Sequence, residues 1–326
     1  MNKPILRKVN ICASLAACIF ILIAACNKEA PETTAPLAGE EARSAVIFDQ
    51  KRHKGLLTVR YFHLQNVTPT GDCILIQTPD GKTMMIDAGV PETADQVIEY
   101  LNRLGVDTID VALNTHPHHD HMGGFAKVIA AKDVQTFYTM FLSVPDYSSN
   151  SYRAAATQLN LKKIPREVLE EGMTFRLGDQ VTVEVFSPDK GSSAADVKSH
   201  EDAVINFYSL VFKVVYKDTS FLFSGDIYVD RERMLIDKYG EKLRSDMMHA
   251  PHHGSSSSNS EAFIKTVKPK IAVISFHQIN SDGFMTYLRY RKLGAQVYHT
   301  GVNGNILITS DGKQLNVFTE KDAKFK

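Results

Sequence analysis

The chain has 326 residues, of which 44% are hydrophobic, and its 37 Lys and Arg residues balance 37 Asp and Glu residues. A chain this long and this apolar buries a substantial core, which excludes a disordered protein. The zero net charge also excludes a strongly basic protein that binds nucleic acid through charge alone. Since three of the basic residues and none of the acidic ones lie in residues 1–25, the remainder of the chain is mildly acidic.

Residues 1–25 have the layout of an export signal, in which basic residues precede an apolar run that ends in small side chains. The segment Ile23-Ala24-Ala25-Cys26 resembles a bacterial lipobox. This resemblance implies cleavage before Cys26, which becomes a lipidated first residue and attaches the mature protein to the membrane. An uncleaved membrane anchor is the alternative, and it also predicts an exported protein of the bacterial cell envelope.

Residues 26–52 are rich in Pro, Ala, Thr and Glu and lack apolar periodicity, which is typical of a flexible tether. We therefore expect three segments, namely a lipoprotein signal peptide (1–25), this tether (26–52) and one folded domain (53–326). Cys73 is the single cysteine of the expected domain. An internal disulfide is therefore excluded, despite the exported location.

Turn residues divide the first half of the folded region into short apolar or alternating segments, which are typical of strands. These predicted strands cover residues 57–63, 73–77, 84–87, 109–113 and 135–139. Helices are predicted from Pro91 to Gly105 and around residues 125–129. In the first of these helices, apolar residues lie on one face between a Pro near the start and a Gly past the end.

The second half of the folded region has the same organisation. Strands are predicted near residues 181–186, 206–216, 220–223, 296–299, 305–309 and 314–318, with a helix near 231–239 and further elements near 261–267, 271–275 and 284–293. Two successive sets of strands, each with helices, predict an α/β fold in which two sheets pack face to face and helices cover their outer surfaces. The expected architecture is therefore a four-layer αββα sandwich.

Residues 116–121 contain four histidines and an aspartate between a predicted buried strand and a Gly-Gly pair. Residues two apart in an extended segment point the same way, so His116 and His118 can hold one metal ion side by side. Asp120 and His121 can turn toward a second ion where a helix begins, and ions about 3.5 to 4 Å apart can share a hydroxide as nucleophile. A surface His tract that binds metal adventitiously is the alternative, which this position in the chain disfavours.

The motif His116-x-His118-x-Asp120-His121 resembles the signature of the metallo-β-lactamase superfamily, and further segments of residues 57–320 match that family in order. The resemblance implies the αββα sandwich and two divalent ions, with zinc as the expected metal and manganese as the alternative. It implies that Asp226 bridges the ions and that Asp87 supports the histidine loop through hydrogen bonds to the ligands. The implied metal ligands are His116, His118, Asp120, His121, Asp226 and His253. His119 occupies a variable position of the motif, and we expect it to lie outside the ligand set.

The segment Pro251-His252-His253-Gly254-Ser255, together with Gly71-Asp72, is similar to the catalytic domain of ComEC-type DNA-uptake proteins and their stand-alone relatives. That branch includes secreted phosphodiesterases, among them a phosphorylcholine esterase, and it implies His253 as the ligand with His252 beside it. The membrane-channel portion of ComEC-type proteins has no counterpart here, so DNA import by this chain alone is not expected. A third ligand of the first metal site has no secure match, and His200 remains a candidate for it.

A metal-dependent hydrolase of phosphodiesters is the predicted function. Asp226 at the bridging position argues against the lactamases that use a thiolate there, and the two negative oxygens of a phosphodiester suit a pair of divalent ions. The leaving alkoxide needs a proton, which His252 or His277 would supply, although a structural role in the core is the alternative for His277. The predicted catalytic residues are Asp120, His252 and His277.

Two other classes of function remain open, namely a lactone or β-lactam hydrolase and a non-catalytic metal-binding surface lipoprotein. A small or headgroup-like phosphodiester is the preferred substrate, because the mildly acidic domain shows no clear track for a phosphate backbone. Nucleic acid has weaker support, since the basic and aromatic residues 287–292 would spread around a helix axis. The sequence indicates that the protein reaches the membrane through a lipidated Cys26. It indicates no protein partner.

Overall fold

In the computed structural model, the described residues are 39–65, 71–143, 146–147, 149–276 and 280–324. The predicted signal peptide, Cys26 and the first half of the predicted tether lie outside these residues, as does His277. Among the helices of these ranges, none combines the length and the apolar character that a bilayer span requires.

Strands and helices alternate along the described part of the chain. The strands are β1 (Leu57–Tyr61), β2 (Ile74–Gln77), β3 (Thr83–Ile86), β4 (Thr108–Leu113), β5 (Asp133–Thr139), β6 (Arg166–Val168), β7 (Thr174–Leu177), β8 (Val181–Ser187), β9 (Val211–Tyr216), β10 (Thr219–Phe223), β11 (Met247–His249), β12 (Ile271–Ile274), β13 (Gln296–His299), β14 (Ile306–Ser310) and β15 (Leu315–Thr319). The α-helices are α1 (Glu40–Phe48), α2 (Ala94–Arg103), α3 (His119–Met122), α4 (Phe125–Ala131), α5 (Asn150–Leu161), α6 (Asp202–Phe207), α7 (Val229–Tyr239), α8 (Glu261–Val267), α9 (Ser281–Lys292) and α10 (Thr300–Asn303).

Over the described ranges, the strands form two sheets. One sheet has eight strands in the order β15-β14-β1-β2-β3-β4-β5-β6, and the other has seven in the order β13-β12-β11-β10-β9-β8-β7. Strands β3 to β6 run parallel to one another, as do strands β10 to β13. Parallel strands direct their carboxyl ends to the same edge of a sheet, so the loops that follow β3 and β4 lie together, as do those that follow β10 and β11.

The alternation of side chains along each strand produces the layers. On β1, Leu57, Val59 and Tyr61 point into a core between the two sheets, where Phe221 and Phe223 of β10 belong to the same apolar cluster. The intervening side chains of β1 point to the outer face of the first sheet. The inner faces of the two sheets therefore pack against each other.

Helices cover both outer faces. Val97 of α2 and Val128 of α4 pack in one cluster with Leu75 of the first sheet. Leu235 of α7 and Phe263 of α8 pack in another cluster with residues of the second sheet. The predicted four-layer αββα sandwich is therefore confirmed.

The predicted tether is wrong in its C-terminal part, and the folded domain does not begin at residue 53. Residues Glu40–Phe48 form α1, and Val46, Ile47 and Phe48 at its end are buried. His53 is also buried, with its Nε2 2.9 Å from Val46 O. A helix of nine residues with its apolar side chains only at one end shows no periodicity, which is why the sequence pattern did not reveal it.

Two further elements differ from the prediction. The strand expected over residues 206–216 begins at Val211, because Asp202–Phe207 form α6. Helix α5 was not predicted, and it begins after Ser149, whose side chain accepts a hydrogen bond from Tyr152 N at 3.1 Å. The capping side chain of Ser149 starts α5, whereas α6 begins without a side-chain cap.

Candidate metal centre

The loops at one edge of the sandwich carry the predicted site residues. In the first sheet Asp87 follows β3 and His116 follows β4, and in the second sheet Asp226 follows β10 and His253 follows β11. Because β3 runs parallel to β4 and β10 runs parallel to β11, each pair of loops lies at the carboxyl ends of its strands. The site is therefore assembled from both sheets.

Backbone contacts hold the histidine loop against its neighbours. His121 O accepts a hydrogen bond from Ala88 N at 2.9 Å, and Asp120 O accepts one from Asp72 N at 3.2 Å. Gly71 has a φ of 75°, and a Cβ at that position would lie 1.6 Å from Asp120 O. Only glycine allows the two loops to approach this closely.

The Asp87 carboxylate is buried beneath the histidine loop. Its Oδ1 accepts hydrogen bonds from Asn114 Nδ2 at 3.0 Å and from Thr115 N at 2.8 Å, and its Oδ2 accepts one from Thr115 Oγ1 at 2.6 Å. His121 Nδ1 lies 2.8 Å from the same Oδ2, which directs the other ring nitrogen of His121 into the centre. Burial raises the pKa of Asp87, and the neighbouring His121 imidazole offsets this only in part.

The side chains of the centre converge on the carboxylate of Asp226. Its Oδ2 lies 3.2 Å from Nε2 of His121, 3.5 Å from Nε2 of His253 and 3.8 Å from Nε2 of His116. Asp120 Oδ2 lies 3.2 Å from the same His253 nitrogen and 3.8 Å from the same His121 nitrogen. The structure thus brings together five of the six residues that the sequence predicts as metal ligands.

His118, the remaining predicted ligand, lies beside this group and closer to solvent. Its ring centroid is 4.6 Å from that of His116, and its Nε2 is 3.5 Å from Oδ1 of Asp202. The Asp202 side chain is 85% exposed, and the Tyr147 ring packs edge-on to His118 with a centroid separation of 6.1 Å. Asp202 was missed by the sequence analysis, because its position on α6 is far from the histidine motif along the chain.

Several ligand-type atoms of the centre have no hydrogen-bond partner among the described residues. They are Nε2 of His116, Nε2 of His118, Nε2 of His121 and Oδ1 of Asp226, all of them buried. Buried polar atoms without partners are costly, and these belong to imidazole and carboxylate groups clustered around one point. Since such nitrogens and oxygens are the usual donors to zinc, the residues present fit divalent metal ions.

The charges of the centre also favour a cation. Burial lowers the pKa of His116 well below the ordinary imidazole value, which keeps this ring in the neutral form that binds metal. Burial opposes ionisation of Asp226, but the His121 and His253 imidazoles hold its pKa well below the ordinary carboxyl value. In turn, nearby carboxylates outweigh the effect of burial and raise the pKa of His121. A bound metal ion would replace the proton on such a histidine and balance the same carboxylates.

Asp72 is a further buried carboxylate at the centre. Together with three of the predicted ligands, it forms a group whose ligand-type atoms lie within 4.8 Å of one another. Its Oδ1 is 3.2 Å from Nδ1 of His253, and its Oδ2 is 3.2 Å from Nε2 of His249. The Nδ1 atom of His253 makes its hydrogen bond with Ser275 O at 3.1 Å, and this contact orients the ring so that Nε2 faces the other carboxylates. Asp72 adds a buried negative charge beside the same Nδ1.

The sequence pattern alone indicates no role for Asp72 or for His249. Asp72 appeared there only as part of a two-residue motif, and His249 ends the short apolar strand β11. A lone histidine at the end of a buried segment is an ordinary pattern. The contact between the two side chains becomes visible only in the fold.

His252 and His253 are adjacent in the sequence but have different surroundings. Their φ values of 50° and 52° lie in the left-handed region, which residues other than glycine seldom adopt. The His253 side chain is 9% exposed, whereas that of His252 is 25% exposed and has its Nε2 4.0 Å from Oδ2 of Asp226. His252 Nδ1 lies 2.8 Å from Ser257 Oγ, and its ring stacks on Tyr228 with a centroid separation of 4.9 Å. His252 therefore occupies the open side of the centre.

Two further candidate histidines, His119 and His200, have other neighbours. The His119 side chain is 54% exposed, and its Nδ1 is 2.7 Å from Ser151 Oγ. His200 is exposed, and its ring packs against Tyr147 with a centroid separation of 5.5 Å. The structure does not bring His200 to the ligand-type atoms of the described centre. His277 is outside the described residues.

Residues 68–278 match the sequence profile of the family described as the metallo-beta-lactamase superfamily. The chain is 26% identical over 238 residues to competence protein ComA of Neisseria gonorrhoeae, and 26% identical over 216 residues to recombination protein 2 of Haemophilus influenzae. The predicted resemblance to competence proteins is thereby confirmed. These alignments cover 72% and 65% of this chain but 30% and 24% of the relatives, so the chain spans less than a third of their length.

Among solved structures, the chain is similar to CmlA, a diiron beta-hydroxylase from Streptomyces venezuelae. The TM-score is 0.47 and the sequence identity is 13%, and the alignment covers 79% of this chain and 54% of that chain.

Proposed function

The chain belongs to the metallo-β-lactamase superfamily, and on this premise we propose that it is a phosphodiesterase of the bacterial cell envelope that binds two divalent ions. The family and the cluster of His and Asp side chains support metal-dependent hydrolysis in general. One observation carries the proposal: ring nitrogens of His116, His121 and His253 lie within 3.8 Å of a single carboxylate oxygen of Asp226. The Asp226 carboxylate would therefore help to hold both ions of a pair.

The proposed ligands divide into two sets that share Asp226. One set is His116 with His118, and the other is Asp120 with His121 and His253. When bound, the two ions would supply an activated water and would stabilise negative charge that develops on the substrate. We propose zinc, with manganese as the alternative, because imidazole and carboxylate groups are the usual zinc donors.

His252 is the proposed proton donor to the leaving group. Its Nε2 faces the centre from 4.0 Å, and the contact between Nδ1 and Ser257 Oγ fixes the orientation of the ring. The stacked Tyr228 ring supports the same histidine on the open side, where a leaving group would reach solvent. There His252 would hold a proton on Nε2 and transfer it to the departing alkoxide oxygen. His277 remains the alternative donor.

The proposed substrate is a small or headgroup-like phosphodiester. Its negative charge is spread over two non-bridging oxygens, which a pair of divalent ions complements. Nucleic acid has less support, because the basic residues of α9 do not form one exposed track. Tyr290 is buried there, and Arg289 donates a hydrogen bond to Asn259 O at 2.7 Å.

A substrate panel tests this proposal. Protein that starts at residue 27 would be incubated with bis-p-nitrophenyl phosphate, a lactone, nitrocefin and single-stranded DNA, with and without added zinc or manganese. We expect hydrolysis of the phosphodiester that depends on the metal and is lost in Asp226→Asn. The matched control is Asp237→Asn, which removes an exposed carboxylate on α7. Faster cleavage of the lactone or of nitrocefin would instead support the alternative hydrolase, and no cleavage of any substrate would support a non-catalytic lipoprotein.

Attachment to the membrane through a lipidated Cys26 is a second part of the proposal, which the lipobox-like segment supports. Cys26→Ala should release the protein from the membrane fraction, since that residue would carry the lipid. Cys18→Ala is the matched control, because residues 15–18 also fit the four-residue pattern, and this variant should stay attached. Cell fractionation measures both. If Cys26→Ala stays in membranes with residues 1–25 still present, the segment is an uncleaved anchor.

A further inference from the structure

A cavity of about 370 Å³ lies at the end of the first sheet that is opposite to the metal centre. Asp72 and Asp87 flank the metal-centre ends of β2 and β3, whereas the turn of residues 78–81 joins the other ends of these strands. That turn lines the cavity, together with most of residues 50–56 and the side chains of Thr58 and Arg60 on β1. The cavity is therefore separate from the metal centre, and its volume is in the range of small-ligand sites.

Arg60 is the charged group that lines this cavity from inside the protein. Its side chain points to the outer face of the first sheet and is 1% exposed. Its Nε donates a hydrogen bond to Ile47 O at 2.9 Å, and its Nη1 donates to Thr58 Oγ1 and to Gln77 Oε1, each at 2.7 Å. All of these acceptors are neutral. The guanidinium Nη2 makes no hydrogen bond with any residue that the structure describes.

No carboxylate among the described residues forms an ion pair with Arg60. Burial lowers the pKa of this side chain to about 10, so it remains protonated at neutral pH. A buried charge without a counter-charge is strongly unfavourable, and proteins usually pair such groups or place them against a bound ion. Nη2 is not one of the buried atoms that lack a partner, so it is available to an anion in the cavity that Arg60 lines.

The rim of the cavity adds positive charge. Lys51 and Lys54 both line the cavity, and both are exposed. The acidic residue of the rim is Asp80, whose carboxylate already accepts hydrogen bonds from Thr78 Oγ1 at 2.5 Å and from Asp179 N at 2.9 Å. The cavity thus combines one buried guanidinium with two ammonium groups and a carboxylate that is engaged elsewhere.

We propose that this cavity binds a phosphate group, either as free phosphate or on a phosphomonoester headgroup, through Arg60 Nη2 and the ammonium groups of Lys51 and Lys54. Arginine and lysine together are the common protein donors to phosphate, and a dianion matches this excess of cations better than a single carboxylate does. The bound group would link residues 50–56, which follow α1, to the turn between β2 and β3. This proposal does not depend on the proposed hydrolase function.

Hydrogen exchange of the full, metal-replete chain tests the proposal. In the first arm the chain would be titrated with inorganic phosphate in detergent that contains no phospholipid, and in the second arm it would be mixed with vesicles that contain phosphatidic acid. We expect either arm to slow exchange in residues 49–56 and 78–81, and the arm that does so identifies the source of the phosphate group. Phosphate bound at the metal centre would protect other segments, so the two sites are distinguishable.

Paired variants test whether the charges that line the cavity cause the protection by phosphate. Lys51→Gln with Lys54→Gln removes the rim charges, which leaves Arg60 and the fold in place. The phosphate concentration at half protection should then rise about tenfold, because two charge-assisted contacts are lost. The control is Arg233→Gln with Arg291→Gln, which removes two exposed charges from α7 and α9 and should change nothing. Absence of protection in both arms, equal protection by succinate, or an unchanged midpoint in the lysine variant would overturn the proposal.

Discussion

At the residue scale, the two adjacent histidines at the centre differ in what they can do. His253 Nε2 lies 3.2 Å from Oδ2 of Asp120 and 3.5 Å from Oδ2 of Asp226, so it is placed as a ligand. His252 Nε2 lies 4.0 Å from the Asp226 oxygen, and the His252 side chain is the more exposed of the two. Loss of the first should therefore disturb metal binding, and loss of the second should disturb proton transfer.

We predict that His253→Ala loses one ion together with activity, whereas His252→Ala keeps both ions and loses about 10²- to 10⁴-fold of the rate. The defect of His252→Ala should shrink with a p-nitrophenyl leaving group, because that group departs without needing a proton. Elemental analysis and rates on alkyl and nitrophenyl diesters measure these effects. Equal metal loss in the two variants, or an equal His252→Ala defect on both esters, would contradict this division of roles.

Asp87 acts on the metal through His121, which it contacts at 2.8 Å. We predict that Asp87→Asn weakens metal binding about 10- to 100-fold, because the amide no longer accepts both the imidazole proton and the Thr115 hydrogen bonds. Competition with a chelator of known affinity measures the change. If metal affinity is unaltered, the carboxylate does not orient the ligand.

A matched control for Asp87 exists at the opposite end of the same sheet. Asp110 accepts hydrogen bonds from Thr83 N at 2.9 Å and from Lys82 Nζ at 2.7 Å. Asp110→Asn removes a comparably bonded carboxylate, yet it should leave metal affinity unchanged. The comparison separates an effect on the ligand from a general loss of stability.

At the element scale, α1 closes the outer layer of the first sheet. Phe48 stacks on Tyr100 with a centroid separation of 5.4 Å, and the Arg103 guanidinium lies 3.7 Å from the Phe48 ring centroid. Ile47 is fully buried in the same layer, and its carbonyl accepts the Arg60 hydrogen bond. Helix α1 is therefore part of the folded domain.

We predict that Ile47→Ala lowers the free energy of unfolding by about 2 to 5 kcal/mol, as expected when a buried branched side chain leaves a cavity. Leu161→Ala, at a side chain that is 70% exposed on α5, should change it by less than about 0.5 kcal/mol. Urea denaturation measures both.

We also predict that a chain that starts at residue 53 is less stable than one that starts at residue 39, because the first lacks α1. Equal stability of those two chains would show that α1 is dispensable.

At the scale of the whole molecule, the metal centre joins the two sheets. His116 and Asp120 come from the loop after β4, whereas Asp226 and His253 follow β10 and β11. The site therefore depends on the packing of one sheet against the other. Both sheets must be in place before the ligand atoms approach one another.

We predict that the metal-replete protein contains about two divalent ions per chain, because the predicted ligands form two sets around one carboxylate. Elemental analysis measures the ratio, and one ion or fewer would contradict the two-ion proposal. His119→Ala is the control, since that side chain points to Ser151 and its loss should leave both ions bound.

Local patterns were sufficient for the αββα sandwich and for much of the centre. The alternation in residues 57–63 predicted β1, and a Pro near the start and a Gly past the end predicted the helix that contains α2. The spacing within residues 116–121 predicted side chains that the structure places near Asp226. Such predictions succeed because each depends on residues that are close along the chain.

Only the tertiary structure decided which distant residues meet. Asp72 contacts His253, and Asp202 contacts His118, across long separations in the sequence. His200, a candidate for the same site, packs against Tyr147, a contact that its position in the sequence does not reveal. Helix α1 is buried because it packs on the outer face of the first sheet. The short apolar pattern of α1 does not reveal that contact. The physical reason is that burial and long-range contacts are properties of the packed layers, which no local segment contains.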